Sequence, residues 1–341
     1  MISISLDPAR HFKPVYSRIR DSSRSAIPRW IGFIMIVGLL LSMPGSTVAQ
    51  SSASIVSATE WLISQRLENG AYPGFDGSPD AVVTVDAVTA LALAGFQDEA
   101  EESTLYLESE ALVFAQIGPG SAAKLALMLV ASGKDPHNFA FVDPLSIVEH
   151  AANAGMIGFG PYDHALGLLA LSAGGSDIPE VAVEALFQSK ADGAGWAFDG
   201  STDPAASDTN TTALIIRAAH AIGRGDDQRI ASAAEWLASL RTAEGFPYQP
   251  EGPSDANSTA LSLQALVLYP GFKTEEALAV LSAFQNDNGS FSWMLDPRDE
   301  NIFSTVQAIP SLVALSVIDG QTTADPGATP AGTPAAMLRA A

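Results

Sequence analysis

A segment of about 47 residues recurs along this chain, and that period constrains the fold more than any other feature of the sequence. Thr89-Ala90-Leu91-Ala92-Leu93, Thr212-Ala213-Leu214-Ile215-Ile216 and Thr259-Ala260-Leu261-Ser262-Leu263 each open an apolar run that continues for about two helical turns. Weaker copies stand at Ala122-Ala123-Lys124-Leu125, at Asp163-His164-Ala165-Leu166 and at Gln307-Ala308-Ile309-Pro310. Taking Ala165, Ala213, Ala260 and Ala308 as equivalent gives spacings of 48, 47 and 48 residues.

Ahead of the strong copies lies a second element, an amphipathic run that ends in a glycine turn carrying aromatics. The turns are Asn69-Gly70-Ala71-Tyr72, Asp192-Gly193-Ala194-Gly195-Trp196, Glu244-Gly245-Phe246 and Asn288-Gly289-Ser290-Phe291. Glycine suits a helix C-terminus, where the backbone enters the left-handed region. The aromatics Tyr72, Phe75, Trp196, Phe198, Phe246, Tyr248, Phe291 and Trp293 are then expected to pack between repeats.

Each repeat reads as helix, glycine-aromatic turn, helix. Six pairs starting near Val56, Glu99, Asp143, Ile178, Gln228 and Thr274 fill the body, with the second and third degenerate. Runs without a polar face, such as Leu125-Ala126-Leu127-Met128-Leu129-Val130, suit helices buried on most sides; mixed runs such as Ala233-Ala234-Glu235-Trp236-Leu237 suit an outer layer. The expected architecture is all-α, an inner ring inside an outer ring. An open solenoid is the alternative, and it would need polar capping repeats.

The ends read differently. A basic stretch to Arg29, an apolar run from Trp30 to Met43 and the small residues Thr47-Val48-Ala49 predict an export signal over 1–49, or an anchor at 30–43 if it stays uncleaved. Residues 50–320 form the body, and the Pro/Thr/Ala-rich 321–341 reads as a flexible tail. The expected location is therefore secreted or at the cell surface. A net charge of −21, with 17 Lys+Arg against 38 Asp+Glu, argues against nucleic acid or an anionic membrane surface as partner. The chain has no cysteine, which excludes thiolate metal sites and thiol catalysis.

The Gln…Gly…Trp turns followed by Asp-x-x-x-Thr-Ala-Leu helices resemble the prenyltransferase and squalene cyclase repeat over 56–318. That resemblance implies an α6/α6 toroid. The sequence departs from the family where chemistry is done. Triterpene cyclases protonate their substrate from an Asp-x-Asp-Asp-Thr motif, but Asp208-Thr209-Asn210-Thr211-Thr212 and Asp255-Ala256-Asn257-Ser258-Thr259 place Asn at the central acid. An amide has no titratable proton to give. Those cyclases also resemble two fused toroids with the site between them, and this chain has length for one. Protein prenyltransferase β subunits hold zinc with Asp, Cys and His, a set this chain lacks. Cobalamin carriers of the transcobalamin type are a more distant resemblance, and they bind without catalysing.

Polar residues near the starts of the expected inner helices are the candidate ligand-binding set: Asp86, Tyr162, Asp163, His164, Asp208, Asn210, Asp255, Asn257 and Asn301. In a closed toroid they would gather at one mouth of the cavity. Helix capping is the competing role for each Asp and Asn, and His164 lacks a second His at metal-ligand spacing. Asn210, Asn257 and Asn288 also head glycosylation sequons. The function expected is binding of an apolar small molecule (isoprenoid- or corrinoid-like) or an extracellular partner, with no catalytic residue, metal or cofactor. A divergent isoprenoid enzyme using Asp86 or Asp163, and a structural or adhesive module, stay open as alternatives.

Overall fold

The computed structural model describes residues 46–322, so the expected signal up to residue 45, the anchor and most of the tail lie outside the described residues, while Ser46–Ala49 at the end of the expected signal begin the first helix. Helices α1 (Ser46–Ser64) and α2 (Ala81–Leu93) form the first pair, α3 (Gln97–Gln116) and α4 (Pro119–Ala131) the second, α5 (Pro144–Ala152) and α6 (Pro161–Gly174) the third. Then come α7 (Glu180–Ala185) with α8 (Thr209–Ala221), α9 (Gln228–Ser239) with α10 (Ala256–Leu266), and α11 (Thr274–Ser282) with α12 (Ile302–Thr322). The even-numbered helices pack side by side in chain order, and α12 packs on α2, closing the inner ring. The odd-numbered helices lie outside it. Closure removes the solenoid alternative. Gln285 completes the seam by donating to the Ser54 carbonyl (3.0 Å) and the Ser57 hydroxyl (3.1 Å), and the Trp61 indole donates to Glu300 (3.2 Å). At the same seam Gly289, with φ +94°, has no room for a side chain, because a Cβ there would strike the Ser57 carbonyl.

One hydrogen bond, repeated, joins each turn to its inner helix. The backbone N–H groups of Tyr72, Trp196, Phe246 and Phe291 donate to the hydroxyls of Thr84, Thr212, Thr259 and Thr305, all at 2.9 Å. All four donors belong to fully buried aromatic residues, so the hydroxyl satisfies an amide that water cannot reach. Four residues before each threonine an acid or amide caps the helix: Asp80 accepts from Val82 and Val83, Asp208 from Thr211, Asp255 from Ser258 and Asn301 from Ser304. Short pairings hold the loops closed behind these caps: β1 (Tyr72–Pro73) with β2 (Pro79–Asp80), β3 (Phe246–Pro247) with β4 (Ser254–Asp255), and the bridges Trp196 to Asp208 and Phe291 to Asn301.

These bonds correct the repeat register. The first-repeat counterpart of Thr212 is Thr84 and not Thr89, so Asp80 stands where Asp208 does and Asp86 lies further down α2. In the last repeat Thr305 fills the role of Thr259, which makes Val306 the counterpart of Ala260 in place of Ala308. The expected pattern mistook the Thr89-Ala90 step for the structural threonine in the first repeat, and in the last it followed Ala308 because Thr305 is trailed by Val306 and not Ala. Degeneracy in repeats two and three has physical content. Only two residues connect α3 to α4, leaving no room for an aromatic turn. In repeat three His164 replaces the threonine: its Nδ1 accepts from the Ile157 N–H (3.0 Å) and its Nε2–H donates to the Ala182 carbonyl (2.9 Å).

Two predictions follow from this register. Thr84→Val leaves the buried Tyr72 amide without an acceptor and should cost about 1–3 kcal/mol. Thr89→Val removes only a bond to the Val85 carbonyl of its own helix and should change stability by less than about 0.5 kcal/mol by denaturant unfolding. His164 supplies the second. Burial lowers its imidazole from 6.5 to about 4, against a smaller opposing effect of the Ala182 carbonyl. The folded state therefore holds the neutral ring and protonation favours the unfolded chain, so this stability is complete above pH 6.5 and is lost as pH falls toward 4. Of the stability the wild type loses between about pH 7 and about pH 4.5, about 2–3 kcal/mol should be absent in His164→Thr.

Candidate functional site

The six inner helices alternate with outer ones, so all six begin at the same end of the ring. Seen from that end, every inner helix points two positions at the axis, its sixth residue and its ninth. The sixth residues form an upper layer of Asp86, Lys124, Leu166, Leu214, Leu261 and Gln307. The ninth residues form a lower layer of Thr89, Leu127, Leu169, Arg217, Gln264 and Pro310. A spacing of three keeps both on one face of a helix. Tyr162, the second residue of α6, stands above both layers, and Leu93 closes the far side. The layers do not fill the axis. They surround an open-mouthed funnel with a cavity volume of about 80 Å³. The interior volume is below the ~300–1,000 Å³ of a pocket that engulfs a drug-sized ligand, and it holds a handful of waters.

Eight of the fifteen residues that line the funnel are apolar and seven polar, and its charges are unevenly paired. In the upper layer the Lys124 ammonium bridges both carboxylate oxygens of Asp86, each at 2.7 Å, with both side chains about one-fifth exposed. Burial is the largest single effect on Lys124 and works against its charge, but the Asp86 carboxylate together with Tyr162 and Asp80 outweighs it, and the ammonium is held above its ordinary range. Arg217 in the lower layer is 4% exposed, and its Nη2 has no hydrogen-bond partner. Burial pulls the guanidinium down to about 10, which leaves it charged at neutral pH. Burial pushes the Tyr162 phenol upward, so it stays protonated. Pro310 lacks an N–H, which frees the Val306 carbonyl of its helical partner at the same wall.

Of the nine sequence candidates, the funnel gathers two, Asp86 and Tyr162. The others do local work. Asp208 accepts from Thr211 (2.7 Å) and Phe198 (2.9 Å), and Asp255 from Ser258 (2.8 Å); burial raises both carboxyls while these N–H donors oppose it. Asn301 caps α12, and Asn257 accepts from the Ser304 hydroxyl (2.9 Å), tying two inner helices together. Asn210 accepts from Thr209 (3.2 Å). Asp163 accepts from the Phe159 N–H and fits the notch that Gly120 and Gly158 leave. His164 is a core residue of repeat three. Lys124, Arg217, Gln264 and Gln307 were missed. The signal was present: each is a polar side chain interrupting an apolar inner-helix run.

The aromatics divide into two sets. Tyr72, Trp196, Phe246 and Phe291 are fully buried between repeats, as expected. Phe75, Phe198, Tyr248 and Trp293 are not, because they lie two or three residues further on, where the loop has turned outward. With Phe159 of repeat three they are 42% to 92% exposed and ring the end at which the inner helices begin. Phe75 stacks on Phe303 with centroids 4.0 Å apart. Phe198 lies 5.9 Å from Tyr162, which connects this rim to the funnel.

Chemically, the funnel offers one carboxylate, two cations, a phenol, two amides and a hydroxyl. A glycosidase needs two carboxyl groups facing the scissile bond, and among the described residues Asp86 is the one carboxylate lining this space. A cyclase-type acid needs a protonated carboxyl, and Asp86 is engaged by an ammonium.

No protein-family model matches the chain, and no curated protein matches it. Solved structures do. A protein from Actinoplanes is similar at a TM-score of 0.57 and 15% identity, over 78% of this chain and 99% of that one. A variant of the type II terpene cyclase MstE from Scytonema, bound to its product merosterolic acid A, gives a TM-score of 0.59 and 18% identity, over 81% and 100%. An α-1,6-mannanase, GH76A of a Salegentibacter species, gives 0.57 and 12%, over 79% and 99%. A whole type II terpene cyclase chain is thus matched by this one toroid, so having one toroid and not two fails to separate the chain from cyclases. At these identities the likeness establishes architecture, and the chain has the terpenoid-cyclase-like α/α toroid fold.

Proposed function

We propose that this chain is an exported binding protein for a small amphiphilic molecule, which enters the funnel at the end where the inner helices begin and rests its apolar part on the aromatic rim. The observation that carries the reading is the inner wall itself. Twelve equivalent positions converge on the axis, yet they leave it open and line it with mixed chemistry, and five exposed aromatic rings stand in the loops that lead into the inner helices, Phe198 beside the funnel's Tyr162. Side chains selected only for packing would fill the centre with apolar volume. An open centre also weighs against a purely structural or adhesive module.

Absence of catalysis is part of the proposal. The acids that resemble a cyclase motif, Asp208 and Asp255, are engaged as helix caps and stand outside the funnel wall. The enclosed volume is too small to surround a whole polyprenyl chain or a corrin ring, so only a head or end of such a molecule enters. Export rests on the leader at 1–49, and the acidic body is compatible with it. The second reading, a divergent cyclase-like enzyme, draws on Asp86, the one carboxylate within the funnel.

Purification from the native host followed by mass spectrometry of released small molecules should find one amphiphilic species at near-stoichiometric amount. Squalene and prenyl diphosphates should not be turned over. Turnover that Asp86→Asn abolishes, with Asp208→Asn as a folding control, would overturn the binding-protein reading in favour of the enzyme.

A further inference from the structure

Arg217 is the anomaly of this wall. The residue is 4% exposed, lines the funnel from the ninth position of α8, and its Nη2 finds no acceptor among the described residues. Burying a cation without a counter-ion is among the costlier things a fold does, and charges kept inside proteins are nearly always paired. Among the described residues the one carboxylate on the wall cannot serve, because Asp86 already neutralises Lys124 in the layer above. The funnel therefore carries one positive charge in excess inside a protein whose net charge is −21. A hydrophobic residue of similar length would pack there without that cost.

We infer that Arg217 is the anchor of an oxyanion subsite at the bottom of the funnel, where its planar fork takes the carboxylate or phosphate head of the ligand. This inference rests on the binding-protein reading above and names the ligand class. The guanidinium fork matches two oxygens of either group at once, which a lysine at that position would not. Gln264, beside it in the same layer, and Thr89, across the ring, add neutral donors for the remaining oxygens, and the Tyr162 hydroxyl stands above. The leucines at 166, 169, 214 and 261 then receive the first carbons of an apolar tail, which continues outward past Tyr162 to the aromatic rim. The ligand enters head first.

The test uses the full chain with hexanoate, hexanol and inorganic phosphate as probes, against chloride at matched ionic strength. Thermal unfolding and titration calorimetry should show that hexanoate or phosphate raises Tm and binds at least about tenfold more tightly than hexanol does. Hexanoate alone identifies a carboxylate head, and phosphate alone a phosphorylated one. In Arg217→Met both responses should vanish, while the ligand-free Tm rises by roughly 2–4 °C because an unpaired buried charge is gone. Arg217→Lys should keep the charge and lose most of the affinity. Equal binding of hexanol and hexanoate, with no response to phosphate, would sink the oxyanion subsite and leave the binding-protein reading standing. Anion responses that persist in Arg217→Met, or a wild type that answers chloride equally, would overturn the subsite too. A wild type that binds none of the probes would count against both.

Discussion

The amide of a buried turn residue, held by a threonine hydroxyl one turn into the next helix, is the contact on which this architecture rests. A buried N–H without an acceptor is expensive, so wherever the turn aromatic is pulled into the space between repeats the inner helix must supply one. Threonine does so four residues after the capping Asp or Asn, and its own hydroxyl proton goes back to a backbone carbonyl, as at Asp80 and Asn301. The same five-residue unit therefore starts the helix, anchors the loop and sets helix rotation about its axis. His164 shows that the requirement is an acceptor and not a particular side chain.

Fixing the rotation has a functional consequence. Once five of the six inner helices are locked at their fourth residue, their sixth and ninth residues must face the axis, whatever they are. The ring then brings together side chains far apart in sequence, such as Asp86 with Lys124 and Arg217 with Gln264. Leucines at the remaining inward positions give the wall an apolar half. Most outer-facing positions of the same helices are buried against the outer ring, so the axis is where this scaffold can vary its chemistry at least structural expense. Neighbours as unlike as a terpene cyclase and a mannanase share the architecture, which fits that division of labour.

Most of the fold was legible in the sequence. The period, the apolar inner runs and the glycine turns gave six pairs in the right places, since the outer helices begin close to the expected residues except where α1 extends back to Ser46. The resemblance carried by the Asp-x-x-x-Thr turns named the toroid. The site was far less legible. Asp86 was picked because Thr89-Ala90 imitates Thr212-Ala213, and it lines the funnel although the register removes that reason. Asp208, Asp255 and Asn301 look like site residues and serve as caps, a choice that depends on whether backbone N–H groups point at them. Which aromatics crown the mouth depends on a two-residue step along an outward-turning loop, and composition carries no trace of it.

Whether the axis is a ligand site or a packed core with an eccentric arginine is settled by looking at it occupied. The most direct measurement is a crystal structure of protein purified from its native host at a resolution that shows ordered solvent. The account predicts density for an amphiphile with its oxygens on the Arg217 fork and its carbons among the leucines above. A funnel collapsed on its own side chains, with Arg217 turned onto a carboxylate of the protein, would contradict it.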